Sequence, residues 1–115
     1  MWHVKCLRFE KINLTTMDNT KIKVGIIGFG RMGGKYLDKF LKNGRYDVVY
    51  ICDVNKEARD YAAKLSPSST IVADEQIVFE DPKVQVVALC TLANFRKEQI
   101  DKAVRYGKHI ISEKP

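Results

Sequence analysis

The chain has 115 residues, enough for one modest domain with a single buried core. Hydrophobic residues make up 45% of it and charged residues 30%, and no apolar run approaches the roughly 18 residues that span a bilayer. The net charge of +6 comes from lysines and arginines interleaved with acids. We therefore expect neither a membrane span nor a basic surface that binds nucleic acid.

The first twenty residues show no sustained hydrophobic periodicity. We expect residues 1–20 to form a poorly ordered extension ahead of one domain at residues 21–115. Glu10 and Asp18 argue against a transit peptide, and no apolar core suits a secretory signal.

A glycine-rich turn within residues 24–33, VGIIGFGRMG, dominates the next stretch. A predicted strand over residues 23–27 leads into Gly28, Gly30 and Gly33, with the spacing G-x-G-x-x-G, and an amphipathic helix is predicted to follow it. In such turns the first glycine permits the bend, the second lets a phosphate approach, and the third lets the helix pack closely. The pattern predicts a dinucleotide pyrophosphate at the helix N-terminus, although similar turns also serve purely structural roles.

A second predicted strand, residues 48–52, ends at Asp53, which lies 20 residues after Gly33. This is the spacing of a carboxylate that accepts both hydroxyls of an adenosine ribose. A carboxylate there repels a 2′-phosphate and favours NAD over NADP, while Lys56 and Arg59 nearby soften that preference. The alternative is that Asp53 only caps the following helix.

The remaining elements alternate between helix and strand. We predict a helix over residues 56–65, a strand over 70–73, a helical turn over 74–79, a strand over 84–90, a helix ending near 106 and a strand over 109–111. The side chains expected to face inward are Ala58, Tyr61, Ala62 and Leu65 on the first helix and Phe95, Ile100, Ala103 and Val104 on the second. This alternation predicts an α/β fold, a Rossmann-type doubly wound parallel sheet of about five strands.

In sheets of this kind, ligands bind beyond the carboxyl ends of the strands. Gly28, Asp53, Thr91, Glu113 and Lys114 all follow predicted strands. We therefore expect them to meet at one edge of the sheet.

Three cysteines, Cys6, Cys52 and Cys90, share no metal-ligand spacing. Their odd number and the apolar runs beside Cys52 and Cys90 indicate reduced thiols in a cytoplasmic protein. No metal site is expected.

The last stretch, YGKHIISEKP at residues 106–115, resembles one family. A helix ending in G-K-H, an apolar strand and then E-K-P are similar to the Gfo/Idh/MocA oxidoreductases, and the resemblance runs over residues 21–115. It implies an NAD(P)-binding Rossmann domain, incomplete at its C-terminus, whose C-terminal α/β substrate domain is missing. We expect such a fragment to bind a nucleotide weakly and to turn over no substrate.

The resemblance implies a role for each matching residue. The turn would hold the pyrophosphate through Gly28, Phe29, Gly30, Arg31, Met32 and Gly33. Asp53 would bind the adenine ribose, and Thr91 and Leu92 would line the nicotinamide side. Glu113 and Lys114 would sit beside the nicotinamide and the substrate. Lys114 is the implied catalytic residue, since its ammonium would polarise the reacting oxygen.

One loop departs from the family pattern. Many members read T-P-N-x-x-H where residues 91–96 read TLANFR. Side-chain roles therefore do not carry over to Ala93 or Arg96, and Arg96 either binds an anion or is an exposed first-turn residue.

The resemblance implies hydride transfer to or from a sugar, cyclitol or related polyol, with NAD as the favoured cofactor and NADP as the less favoured one. It also implies association into a homo-oligomer. A non-catalytic dinucleotide-binding or regulatory Rossmann module is the alternative, and the E-K-P motif speaks against it. A methyltransferase that uses S-adenosylmethionine would leave the same motif unexplained.

Overall fold

The computed structural model describes residues 2–5 and 21–113. In chain order its elements are β1 (Trp2–Lys5), β2 (Ile22–Ile27), α1 (Arg31–Asn43), β3 (Tyr46–Cys52), α2 (Lys56–Leu65), β4 (Thr70–Val72), α3 (Glu75–Glu80), β5 (Val86–Leu89), α4 (Ala93–Arg105) and β6 (His109–Glu113). Every element predicted from residue 21 onward is present. Within the described ranges, none of the helices is long and apolar enough to cross a membrane.

The strands form one sheet in the order β1-β6-β5-β2-β3-β4. The five strands from β2 to β6 are parallel to one another. Parallel strands joined by helices confirm the predicted Rossmann-type α/β fold. Because the strands are parallel, their carboxyl ends lie at the same edge of the sheet.

The sequence did not predict β1. It runs antiparallel to β6, with Trp2 opposite Glu113 and Lys5 opposite Ile110. Trp2–Lys5, which belongs to the expected poorly ordered extension, is thus paired with the sheet, and residues 6–20 lie outside the described part of the chain. A four-residue edge strand depends on backbone pairing with a distant partner, which local periodicity does not reveal.

The sheet is buried on both faces. Along β5, Val86 and Ala88 belong to one apolar cluster, and Val87 and Leu89 belong to the other. The first cluster includes buried side chains of α1 and α2, and the second includes those of α3 and α4. Since helices cover both faces, the sheet is doubly wound, as predicted.

The predicted inward faces of α2 and α4 are only partly right. Ala62 and Ala103 are fully buried, whereas the larger side chains beside them are exposed. The exposed fractions are 58% for Tyr61, 43% for Leu65, 53% for Phe95 and 53% for Val104. These helices contact the sheet through small residues, so the buried stripe is narrower than the apolar stripe.

Candidate dinucleotide site

A cleft of about 260 Å³ lies at the carboxyl edge of the sheet. Its lining residues are Gly28, Asp53, Val54, Glu75, Thr91, Phe95 and Gln99. Three of the predicted site residues therefore meet in one cleft: Gly28 after β2, Asp53 after β3 and Thr91 after β5. Glu113 ends β6 at the same edge, and Lys114 lies outside the described residues.

Each glycine of the turn meets a different local constraint. Gly28 has a φ of 93°, in the left-handed region, and its N–H donates to the carbonyl of Cys52 at 2.8 Å. A Cβ on Gly33 would collide with the carbonyl oxygen of Gly28. A Cβ on Gly30 would meet no heavy atom within 4 Å. The fold itself requires the first and third glycines, whereas the second leaves the open space that an approaching phosphate needs.

The N-terminus of α1 faces this turn. Gly30 is its N-cap residue, and within the described chain no side chain caps the helix and no acidic residue lies in its first turn. The first N–H groups of a helix have no partners within the helix, and its dipole favours negative charge there. Arg31 is exposed and Met32 is half-buried at this end. The arrangement fits an anionic group such as a pyrophosphate.

The carboxylate of Asp53 ties the glycine turn to the end of β3. Its Oδ2 accepts the Phe29 N–H at 2.7 Å, and its Oδ1 accepts the Asn55 N–H at 2.8 Å. The cap of α2 is Asn55, whose side chain accepts the N–H groups of Glu57 and Ala58. The capping alternative for Asp53 is thus wrong. A carboxylate oxygen has a second lone pair, so ribose hydroxyls still have acceptors here.

The two cations expected to soften the preference for NAD are both engaged locally. Lys56 Nζ lies 3.0 Å from Asp60 Oδ2. Arg59 Nη1 donates to the carbonyls of Asp53 at 3.0 Å and Val54 at 2.9 Å. Lys56 is thus paired with a carboxylate, whereas Arg59 keeps its charge beside Asp53, because backbone carbonyls do not neutralise a guanidinium.

The loop after β5 is held from α4. The Thr91 hydroxyl donates to Gln99 Oε1 at 2.5 Å, and Arg96 Nη2 donates to the Thr91 carbonyl at 3.2 Å. Leu92 is 72% exposed. Arg96 is half-buried, so the expectation of a simply exposed first-turn residue is wrong.

Sequence reasoning missed several residues of the cleft. Phe95 was expected in the core and instead lines the cleft, and Gln99 is 3% exposed beneath it. Glu75 follows β4 at the carboxyl edge. The rule that ligands bind at this edge is the one signal that points to Glu75, whereas no motif marks Gln99.

The Cys52 thiol lies at the end of β3 and is buried, and neither Cys52 nor Cys90 forms a disulfide. Burial raises the pKa of Cys52 to about 12, and the nearby carboxylates of Glu75, Asp53 and Asp74 add to the rise. Within the described ranges, no group of three acidic, histidine or cysteine side chains is placed to hold a metal ion.

We expect Cys52 to make the fold less stable at alkaline pH. The thiol has an ordinary pKa of 9.0 and a folded pKa of about 12, so between these values the unfolded chain loses a proton that the folded chain keeps. The free energy of unfolding should fall in this window by up to about 1.4 kcal/mol per pH unit. Urea unfolding from pH 8 to pH 11 should show a flatter decline for Cys52→Ala than for Cys90→Ala. Equal slopes would contradict the buried-thiol account.

Comparison with known proteins places the chain in a family. The sequence model of the GFO_IDH_MocA family, described as an oxidoreductase family with an NAD-binding Rossmann fold, matches residues 22–115. The chain belongs to this family. Its predicted family, fold and NAD cofactor class are thereby confirmed, and the cofactor contacts of individual residues remain predictions.

Relatives with names and structures agree with this placement. An inositol 2-dehydrogenase of Rhodococcus erythropolis is 30% identical over 101 residues, which are 85% of this chain and 29% of that protein. The apo scyllo-inositol dehydrogenase structure from Lactobacillus casei matches with a TM-score of 0.78 at 26% identity, covering 86% of this chain and 30% of that one. The WlbA dehydrogenase of Bordetella pertussis, in complex with NADH and UDP-GlcNAcA, matches with a TM-score of 0.75 at 26% identity, covering 83% and 30%. The chain thus spans less than a third of each of these relatives.

Proposed function

We propose that this chain is the cofactor-binding portion of an NAD-dependent oxidoreductase that transfers hydride to or from a cyclitol, sugar or related polyol. The observation that carries the proposal is the meeting of three features at one sheet edge. They are the open space at Gly30, the uncapped N-terminus of α1 and the Asp53 carboxylate in the adjoining cleft.

Each feature suits a different part of a dinucleotide. The turn and the helix N-terminus offer N–H donors to the pyrophosphate through Gly30, Arg31 and Met32. The Phe29 N–H is already donated to Asp53, so Phe29 supports the turn rather than the phosphate. Asp53 accepts hydrogen bonds from the ribose hydroxyls. Thr91 and Leu92 follow β5, which is the neighbour of β6 in the sheet, and we assign them to the nicotinamide end.

The substrate class comes from the relatives. The Rhodococcus protein is named for inositol oxidation, and the Bordetella structure holds NADH with a nucleotide sugar. Bound NAD supplies hydride exchange at the nicotinamide. Lys114 is the proposed catalytic residue, because an ammonium at this place stabilises charge on the reacting oxygen. No comparison favours the non-catalytic alternative.

Two finer points belong to the same proposal. Neither of the described cysteines, Cys52 and Cys90, forms a disulfide, which suits the cytoplasm. Association into a homo-oligomer remains a prediction, with size-exclusion chromatography of the chain as its measurement.

The proposal is tested by titrating the chain with NADH and NADPH. We expect NADH to bind more tightly, and Asp53→Ala to weaken NADH binding ten-fold or more, because hydrogen bonds to a charged group contribute roughly 1.5–3 kcal/mol. NADPH binding should weaken less, since the variant also removes a charge that repels the 2′-phosphate.

Asp38→Ala is the matched control. Asp38 lies on α1, is exposed and pairs with Lys42, so its loss removes the same charge away from the cleft. It should bind NADH as the parent does. The ribose assignment is wrong if Asp53→Ala, shown to be folded by its thermal transition, binds NADH as tightly as Asp38→Ala.

A further inference from the structure

In the wall of the cleft, four side chains form a continuous chain of polar contacts, which we call the Glu75 chain. Lys102 Nζ donates to Glu75 Oε2 at 3.0 Å, and Gln99 Nε2 donates to Glu75 Oε1 at 3.0 Å. Gln99 Oε1 in turn accepts the hydroxyl of Thr91 at 2.5 Å. Both oxygens of Glu75 are therefore bound from α4, and the contacts join α3, α4 and the loop after β5.

The Glu75 chain is built into the wall of the cleft. Glu75, Gln99 and Thr91 all line it, and Gln99 is 3% exposed. The side chains of Lys102 and Glu75 are 33% and 27% exposed. Lys102 follows Gln99 by three residues on the same face of α4, and its Nζ lies 5.9 Å from the centre of the buried Phe79 ring. The Lys102 ammonium thus lies between the Glu75 carboxylate and the Phe79 ring.

The charges that line the cleft connect the Lys102–Glu75 ion pair with the binding of an anionic cofactor. Among the described residues that line the cleft, Asp53 and Glu75 are acidic and none is a lysine or arginine. A dinucleotide brings two phosphate charges, so an uncompensated carboxylate in the wall would repel it. Lys102 places a compensating charge directly behind Glu75.

The same contacts fix Thr91. Because its hydroxyl proton is donated to Gln99, the Thr91 oxygen presents acceptor lone pairs, and its methyl group lies against Gly28. The Thr91 Cγ2 atom would be only 2.8 Å from a Cβ on Gly28. The Glu75 chain therefore reaches the backbone of the glycine turn.

We propose that Lys102 is a positioning residue for the dinucleotide. It neutralises and orients Glu75 and, through Gln99, sets the rotamer of Thr91 at the cleft. This inference rests on the proposed function, since it concerns the affinity of the same site. Lys102 itself does not need to touch the cofactor.

The test is a double-mutant cycle with NADH binding as the readout. We expect Lys102→Met to weaken NADH binding roughly five-fold, because it leaves the Glu75 carboxylate uncompensated in the wall of the cleft. Glu75→Gln should bind NADH at least as tightly as the parent. In Lys102→Met with Glu75→Gln the affinity should return to within about two-fold of the parent, because no carboxylate remains to be neutralised.

Controls separate the charge from the fold. Lys97→Met removes an exposed lysine of the same helix and should leave NADH binding unchanged. Lys102→Arg should keep most of the affinity, and the loss in Lys102→Met should shrink at high salt. If Lys102→Met does not fold, Lys102→Gln compared with Lys102→Arg makes the same test.

The outcomes are distinct. The inference is overturned if Lys102→Met binds NADH as Lys97→Met does, or if the double variant stays as weak as Lys102→Met. A folded parent that binds no NADH overturns the proposed function and this inference together.

Discussion

Replacing Gly33 with alanine is expected to lower the free energy of unfolding by about 2–3 kcal/mol. The new Cβ would fall on the carbonyl oxygen of Gly28 and lie 3.2 Å from its carbonyl carbon and from Phe29 Cδ1. Two of these atoms belong to the backbone and cannot rotate away. To make room, α1 would have to move off the end of β2. Urea unfolding followed by circular dichroism measures the loss.

Gly34 provides the matched control for this prediction. It is the next residue of α1, and a Cβ there would meet no heavy atom within 4 Å. Gly34→Ala should raise the free energy of unfolding by roughly 0.5–1 kcal/mol, because alanine loses less backbone entropy in a helix. Equal effects of the two substitutions would show that Gly33 does not set the close packing of α1 on β2.

Replacing Gly30 with alanine is expected to have the opposite profile, with the fold kept and the cofactor lost. Gly30 has a φ of −91°, outside the left-handed region, and its Cβ would point into open space. The free energy of unfolding should change by less than about 1 kcal/mol. NADH binding should weaken ten-fold or more, since the methyl group occupies the space that a phosphate needs.

Gly34→Ala serves again as the control, because it adds the same methyl group one turn further along α1. It should bind NADH as the parent does. If Gly30→Ala binds NADH equally well, the open space at Gly30 is not a phosphate site.

The elements from β2 to β6 were predictable because of a simple physical cause. Strands buried on both faces, such as β5, require continuous apolar runs, and those runs stand between clear turn residues. The proximity of Asp53 to the glycine turn was predictable as well, since one helix and one return strand bring Asp53 back beside Gly28. The spacing of motifs along the sequence was therefore enough to predict which of these residues meet at the carboxyl edge of the sheet.

The wall of the cleft was not predictable in this way. Periodicity identifies the apolar side of α4 but not how far its first turn extends beyond the sheet, so Phe95 was assigned to the core. Contact between Glu75 and Gln99 spans 24 residues and depends on how α3 and α4 pack. The pairing of β1 with β6 was not predictable for the same reason, because the two strands lie far apart in the sequence.

Asp53 combines a role that the sequence predicted with a contact that it did not predict. Its spacing predicted a ribose ligand, and the structure adds its bond to the Phe29 N–H, which no spacing rule describes. A residue that shapes the turn and faces the cofactor affects both stability and binding when it is replaced. This is why Gly30 rather than Asp53 separates the two effects most cleanly.

The most direct test of the dinucleotide site is a nuclear magnetic resonance titration of the ¹⁵N-labelled chain with NADH. We expect the largest amide shifts at Gly30, Arg31, Asp53, Val54 and Thr91, around the carboxyl edge of the sheet. Saturation with NADH without shifts at this edge would contradict the dinucleotide site. Shifts centred on Tyr50 and Asp81, which do not line the cleft and whose side chains share a 2.7 Å hydrogen bond, would also contradict it.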